Sequence, residues 1–269
     1  MKRTLPSQRL ARSPLVHVLA QVRYSPVFKI GDSIISIQER LKEVGFPRFE
    51  KSQLQSVVIS DGQDVHLDRM DRWDFLDKAK MRGVVLTRDF VVLHTNKYSV
   101  FDEFRSTLQA ILDVLASTIE LNVVERTGLR YVDLVRAAPG ESLAEYVEPG
   151  LMGFPFSQMK EIGNTSLGVS RTESVAKTDS GLLTVRSLQT NSGQFLPPDL
   201  LPTVLEYDLA IPHGEWVVIL DFDHFTTEPS DFSAAAVIET MDGLHDPLDV
   251  AFRRAVTQQA MTRCGQQLV

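Results

Sequence analysis

The sequence lacks a cysteine pair. Cys264 is its one cysteine in 269 residues, which excludes an intramolecular disulfide and a cysteine-built zinc site. Long apolar runs are missing too: none approaches the roughly 18 to 20 residues that a membrane-crossing helix needs. The residues after Met1-Lys2-Arg3 carry no apolar core of a secretory signal. A reducing, cytoplasmic setting without membrane contact is the expectation. Absent as well are the Gly-x-Ser-x-Gly elbow, a phosphate-binding glycine loop and a dinucleotide fingerprint. The six histidines show no metal-ligand spacing such as His-x-x-x-His. The common hydrolase, nucleotide-binding and zinc-enzyme classes therefore lack their signatures.

Positive charge is missing from one long stretch. Between Ser187 and Phe252 there is no Lys or Arg, while twelve Asp and Glu residues fall there, and the net charge of the whole chain is -7. Phosphate backbones are held by Lys and Arg, so this C-terminal half is a poor nucleic-acid surface. It reads as an acidic face suited to a basic protein partner or a cation, or kept for solubility.

What is present is ordinary globular material, 43% hydrophobic and 23% charged. Residues 1–13, with Lys2, Arg3, Arg9 and Arg12 and no acid, read as a flexible basic arm. Val16, Val18, Ala20, Val22 and Tyr24 alternate with His17, Leu19, Gln21 and Arg23, predicting a strand whose even face is buried. Gly31-Asp32 opens a helix striped by Ile34, Ile37, Leu41 and Val44 and closed by Gly45. Leu54–Ile59 reads as a strand, Gly83–His94 as a hairpin, and Gly128–Val135 as a strand. Between the first two, Leu67, Met70, Trp73 and Leu76 alternate with aspartates at a period of three; we place a strand from about Trp73 to Lys80. Ser99 and Asp102 form a capping-box spacing before the stripe Phe101, Phe104, Leu108, Ile111, Leu112, Leu115 and Ile119.

A Gly/Pro/Asn-rich stretch from Pro149 to Asn164 suggests a boundary between an N-terminal half, 14–148, and an acidic C-terminal half, 149–269, within what can still be one compact domain. Beyond it the pattern predicts a hairpin around Asp179-Ser180-Gly181, strands at Val204–Ala210 and Glu215–Phe225, and two helices, one after Asp231 and one after Asp246-Pro247. The fold class is α+β: curved, mainly antiparallel sheet packed on long helices, in two loosely similar halves.

Val217–Leu220 followed by Asp221-Phe222-Asp223 is similar to the first motif of the haloacid-dehalogenase phosphotransferases. Phe225 stands where that motif has Thr or Val, and too little sequence follows Thr226 for the later motifs, so the assignment is rejected. On a strand Asp221 and Asp223 share one face about 6.5 Å apart. With a third carboxylate such as Glu206 or Asp208, they could ligate Mg or Mn, and His224 beside them is a candidate general base. The alternative is that both aspartates face solvent while Trp216, Val218, Leu220 and Phe222 are buried behind them. Arg126, Arg130 and Arg136 could grip a phosphate or carboxylate by bidentate donation, or pair with acids of a neighbouring strand.

Several segments together carry a wider likeness: Ser13-Pro14-Leu15-Val16, Arg72-Trp73-Asp74-Phe75, Val84-Val85-Leu86, Tyr98, Phe101 and Phe104, Arg126 to Val132, and Leu220 to Asp223. On these the chain resembles a sporadically distributed, uncharacterised bacterial and archaeal family of about this length. The resemblance implies a shared fold and supplies no catalytic residues; the patchy distribution points to accessory roles such as defence or toxin neutralisation.

The expectation from sequence is a non-catalytic binding or regulatory protein, with Asp221, Asp223 and Glu228 contacting a protein partner, Arg126 and Arg130 as weak anion-binding candidates, and no cofactor. Two alternatives stand beside it: a metal-dependent phosphoesterase or nuclease using Asp221, Asp223 and His224 with Mg or Mn, and a small-ligand-binding protein.

Overall fold

The computed structural model describes residues 13–60, 64–156, 163 and 165–265, with backbone only at 55–60 and 64–68. The basic arm, save for Ser13, and part of the Pro149 to Asn164 stretch lie outside the described residues. The chain is α+β, built on one ten-stranded antiparallel sheet ordered β2-β3-β4-β5-β1-β6-β9-β8-β7, with β10 pairing β6 off this path. The strands are β1 (Leu15–Tyr24), β2 (Arg48–Ser60), β3 (Asp64–Leu76), β4 (Arg82–Leu86), β5 (Phe90–Thr95), β6 (Val123–Arg136), β7 (Ser170–Thr178), β8 (Gly181–Thr190), β9 (Val217–Phe225) and β10 (Ser230–Asp231). The helices are α1 (Ile30–Glu43), α2 (Phe101–Ala116), α3 (Ala234–Ala255) and α4 (Gln258–Arg263). No helix among the described residues is long and apolar enough to cross a membrane.

One sheet therefore runs through residues on both sides of position 149, because β6 and β9 pair over nine positions from Gly128↔Phe225 to Arg136↔Val217. The helices bury their stripes on one sheet face: Ile37 and Leu41 of α1, Leu108 and Ile111 of α2, and Leu244 and Leu248 of α3 join Val18, Ala20, Val22, Leu129 and Phe222 in the main core. The opposite face carries a smaller core, where Val132, Leu134, Leu188, Val217 and Ile219 lie under Leu196 and Ile211 of the segment 191–216.

Several local expectations are corrected. Val16 packs on the second face, away from Val18, since a register shift between Leu15 and His17 reverses the alternation. The Ser99/Asp102 capping box is absent: Val100 is the N-cap, and Ser99 bonds Glu103 instead. β3 begins well before Trp73, as its thirteen-residue pairing with β2 supplies the ladder that the period-three pattern hides. The strand expected at Val204–Ala210 is irregular backbone laid across the second face. The two C-terminal helices are one, α3, with Pro247 inside it. Proline in a helix interior costs about 3 kcal/mol; burying Leu244 and Leu248 fully, at about 1.5 to 3 kcal/mol each, outweighs that.

Candidate functional site

The site lies on the sheet face away from the helices. On β9, Val217 and Ile219 point there, and the period of two carries Asp221 and Asp223 to the same side. Arg126 and Arg130 share it by the same alternation from Val132 and Leu134. Cross-strand register then builds a charged row: Glu173 of β7 is opposite Arg186 of β8, and Arg186 is opposite Asp221 of β9. Arg186 Nε donates to Glu173 Oε2 at 2.6 Å, and its Nη1 donates to Asp221 Oδ2 at 3.3 Å. From β6, Arg130 reaches diagonally, with Nε and Nη2 donating to the two oxygens of Asp221 at 2.6 and 2.8 Å.

The remaining edge of Arg130 is taken from outside the sheet. Asp199, on the short turn Pro198–Leu200, accepts from Nη1 at 2.6 Å and from Nη2 at 3.1 Å. Burial opposes the charge of Arg130, yet its bonds to Asp199 and Asp221 win and raise its pKa. The same bonds hold Asp199 below the usual carboxylate range. Arg126 forms a second, smaller cluster, donating to Gln21 Oε1 at 2.9 Å and to Asp223 Oδ2 at 3.2 Å, with its guanidinium 4.0 Å from the centre of the Phe225 ring. Gly128 leaves room for it, as a Cβ there would meet Arg126 Nη1 at 2.8 Å. Burial lowers the pKa of Arg126 and raises that of Asp223, each against the pull of the other's charge.

The outward orientation expected for Asp221 and Asp223 is thus overturned. Asp221 is 3% exposed and Asp223 is half-buried, and both are ion-paired to arginines of neighbouring strands. Arg126 and Arg130 pair with acids of a neighbouring strand, the other course open to them. Glu228 lies apart, exposed in the turn before β10. His224 points to the other face, fully buried, with Nδ1 at 2.9 Å from the carbonyl of Leu244 and Nε2 at 2.8 Å from Thr178 Oγ1; burial lowers its pKa. The Asp221, Asp223, His224 constellation is therefore split by the sheet. The carboxylate oxygens of Asp221 are engaged by guanidiniums, and no group of three or more His, Cys, Asp or Glu among the described residues could hold a metal ion.

Beside the Asp221 cluster opens a cavity of about 520 Å³. Arg130, Arg171 and Arg186 line it, together with Glu173, Asp199, Thr172 and an apolar wall of Leu188, Ile219, Pro197 and Pro198. Thr172 Oγ1, buried without a hydrogen-bond partner among the described residues, belongs to the opposite face, since Thr172 pairs with Ser187 and Ser187 with Leu220 of the main core. Arg171, Thr172, Glu173, Arg186 and Asp199 escape the reading of motifs. Hairpin register offers a signal for two of them: the turn Asp179-Ser180 joins Thr178 to Gly181, which sets Glu173 opposite Arg186. Nothing local marks Asp199. Compared with known proteins, the chain matches no family model and no curated protein.

Proposed function

We propose that the protein is a binding protein that takes a small polar ligand into this cleft. The carrying observation is the cavity itself: its volume lies in the range of about 300 to 1,000 Å³ typical of ligand sites, and it combines convergent guanidiniums with an apolar wall. This follows the small-ligand alternative. A protein partner docking on Asp221 and Asp223 has lost its motive, since those acids are turned inward onto Arg126, Arg130 and Arg186. A metal-dependent phosphoesterase at the same place would have to displace those arginines first.

A thermal-shift screen of organic acids, sugar phosphates and nucleotides tests the reading. Stabilising ligands are expected, and their effect is expected to vanish in Arg171→Ala and Arg186→Ala. A panel without any ligand that depends on these two residues would remove the proposal.

A further inference from the structure

We propose that the ligand is an organic acid with an apolar body, and that Asp199 is an internal stand-in for its carboxylate. The proposal rests on the cleft reading above and names its ligand class. Two carboxylates hold Arg130, and they differ in kind. The Asp221 side chain is 4% exposed and fixed in β9 between two strands, whereas that of Asp199 is 61% exposed. Asp199 belongs to a single 3-10 turn, whose local backbone bonds run from Leu200 N to Pro197 O and from Leu201 N to Pro198 O. A guanidinium grips a carboxylate by two parallel bonds, so an incoming carboxylate can take the same Nη1 and Nη2 while Arg130 stays clamped by Asp221.

Charge supports the exchange. With Asp199 swung aside, Arg130, Arg171 and Arg186 face Asp221 and Glu173, while the charge of Asp223, which also lines the cavity, is offset by Arg126. One positive charge is left in excess, which suits a monoanion. The wall of Leu188, Ile219, Pro197 and Pro198 then covers the body of the ligand. Inorganic phosphate would satisfy the guanidiniums and leave that wall idle.

Calorimetric titration of the full chain with acetate, butyrate, hexanoate and inorganic phosphate at low salt tests this, in wild type and in Asp199→Asn, with Asp199→Ala as a second variant whose side chain offers Arg130 no acceptor. Affinity is expected to rise along the acid series by up to about fourfold per methylene that reaches the wall, with phosphate weaker than hexanoate. Removing the internal competitor is expected to tighten hexanoate by about tenfold. Hydrogen exchange over residues 195–209 is expected to quicken when hexanoate binds the wild type. Equal hexanoate affinity in wild type and both variants would overturn the role of Asp199 and leave the cleft reading standing. Phosphate binding as tightly as hexanoate would overturn the organic-acid assignment. Failure of all four probes to bind any of the folded proteins would overturn the organic-acid assignment and the role of Asp199, while the cleft reading stands or falls with the thermal-shift panel.

Discussion

A single buried carboxylate, Asp221, shows why residue types alone mislead. Its neighbours in sequence are apolar, and its own burial is tolerable only because Arg130 and Arg186 donate to it. Removing one member of a buried pair leaves the other uncompensated, at about 3 to 5 kcal/mol, whereas replacing both with apolar groups of similar size is near neutral. Asp221→Ala is therefore expected to lower the unfolding free energy by about 3 kcal/mol in urea titrations, and the double change Arg130→Met with Asp221→Leu to recover most of it. A second buried acid, Asp133, has no such partner among the described residues. Burial pushes its pKa up to about 8, from an ordinary 3.8. An acid whose folded pKa is raised stabilises the fold below its unfolded pKa, and that contribution is lost as pH rises to the folded value. His17 runs the other way: burial, then the charge of Arg130, lowers its pKa to about 4, so its contribution is lost as pH falls from 6.5 toward 4. Between pH 6.5 and 8 Asp133 acts without that opposition. Wild-type stability is expected to drop by about 2 kcal/mol across this window, and denaturant midpoints of Asp133→Asn to stay flat.

At the scale of elements, turns and neighbours decide what propensity leaves open. The β7–β8 hairpin places Glu173, Arg186 and the cleft, and its turn depends on Gly181. That residue has φ of +145°, and a Cβ there would lie 2.0 Å from the carbonyl oxygen of Phe225. Gly181→Ala is expected to destabilise by about 2 to 3 kcal/mol, seen as a fall in Tm and as faster hydrogen exchange in β8. Other elements show tertiary override. α1 starts at Ile30, ahead of the expected Gly31-Asp32, because Ile30 is itself core at 2% exposure. β3 buries Asp74 at 1% exposure because Arg72 donates to both of its oxygens. That pairing lets a strand persist through a run of aspartates that reads as neither helix nor strand.

For the whole molecule, the charge segregation of the sequence dissolves in three dimensions. The stretch without Lys or Arg meets arginines from earlier in the chain: Asp199 and Asp221 meet Arg130, Asp223 meets Arg126, Glu215 meets Arg136 and Asp242 meets Arg105. For Asp221, Asp223 and Glu215 the cause is the β6–β9 pairing, which lays the acid-rich strand against the arginine-rich one, whereas Arg105 and Asp242 meet where α2 packs on α3. That pairing also buries Leu129, Val132 and Tyr131. A fragment of residues 13–148 would leave β6 without β9 and α2 without α3. It is expected to show no cooperative thermal transition by circular dichroism, while the full chain melts in one step.

The sequence by itself determined the α+β class, the apolar stripes of α1 and α2, the hairpins, the alternation of β9 and that of β1 from Val18 to Tyr24, because these follow from periods of 3.6 and 2 that the chain carries locally. It also held every residue of the cleft, though not their meeting. Only the tertiary structure decided that Asp221 and Asp223 turn onto arginines, that His224 lies behind the sheet, and that Asp199 closes over Arg130. Electrostatic partners are chosen by which strands lie side by side, and that order is set by packing the whole sheet, across separations as long as the 97 residues between Arg126 and Asp223.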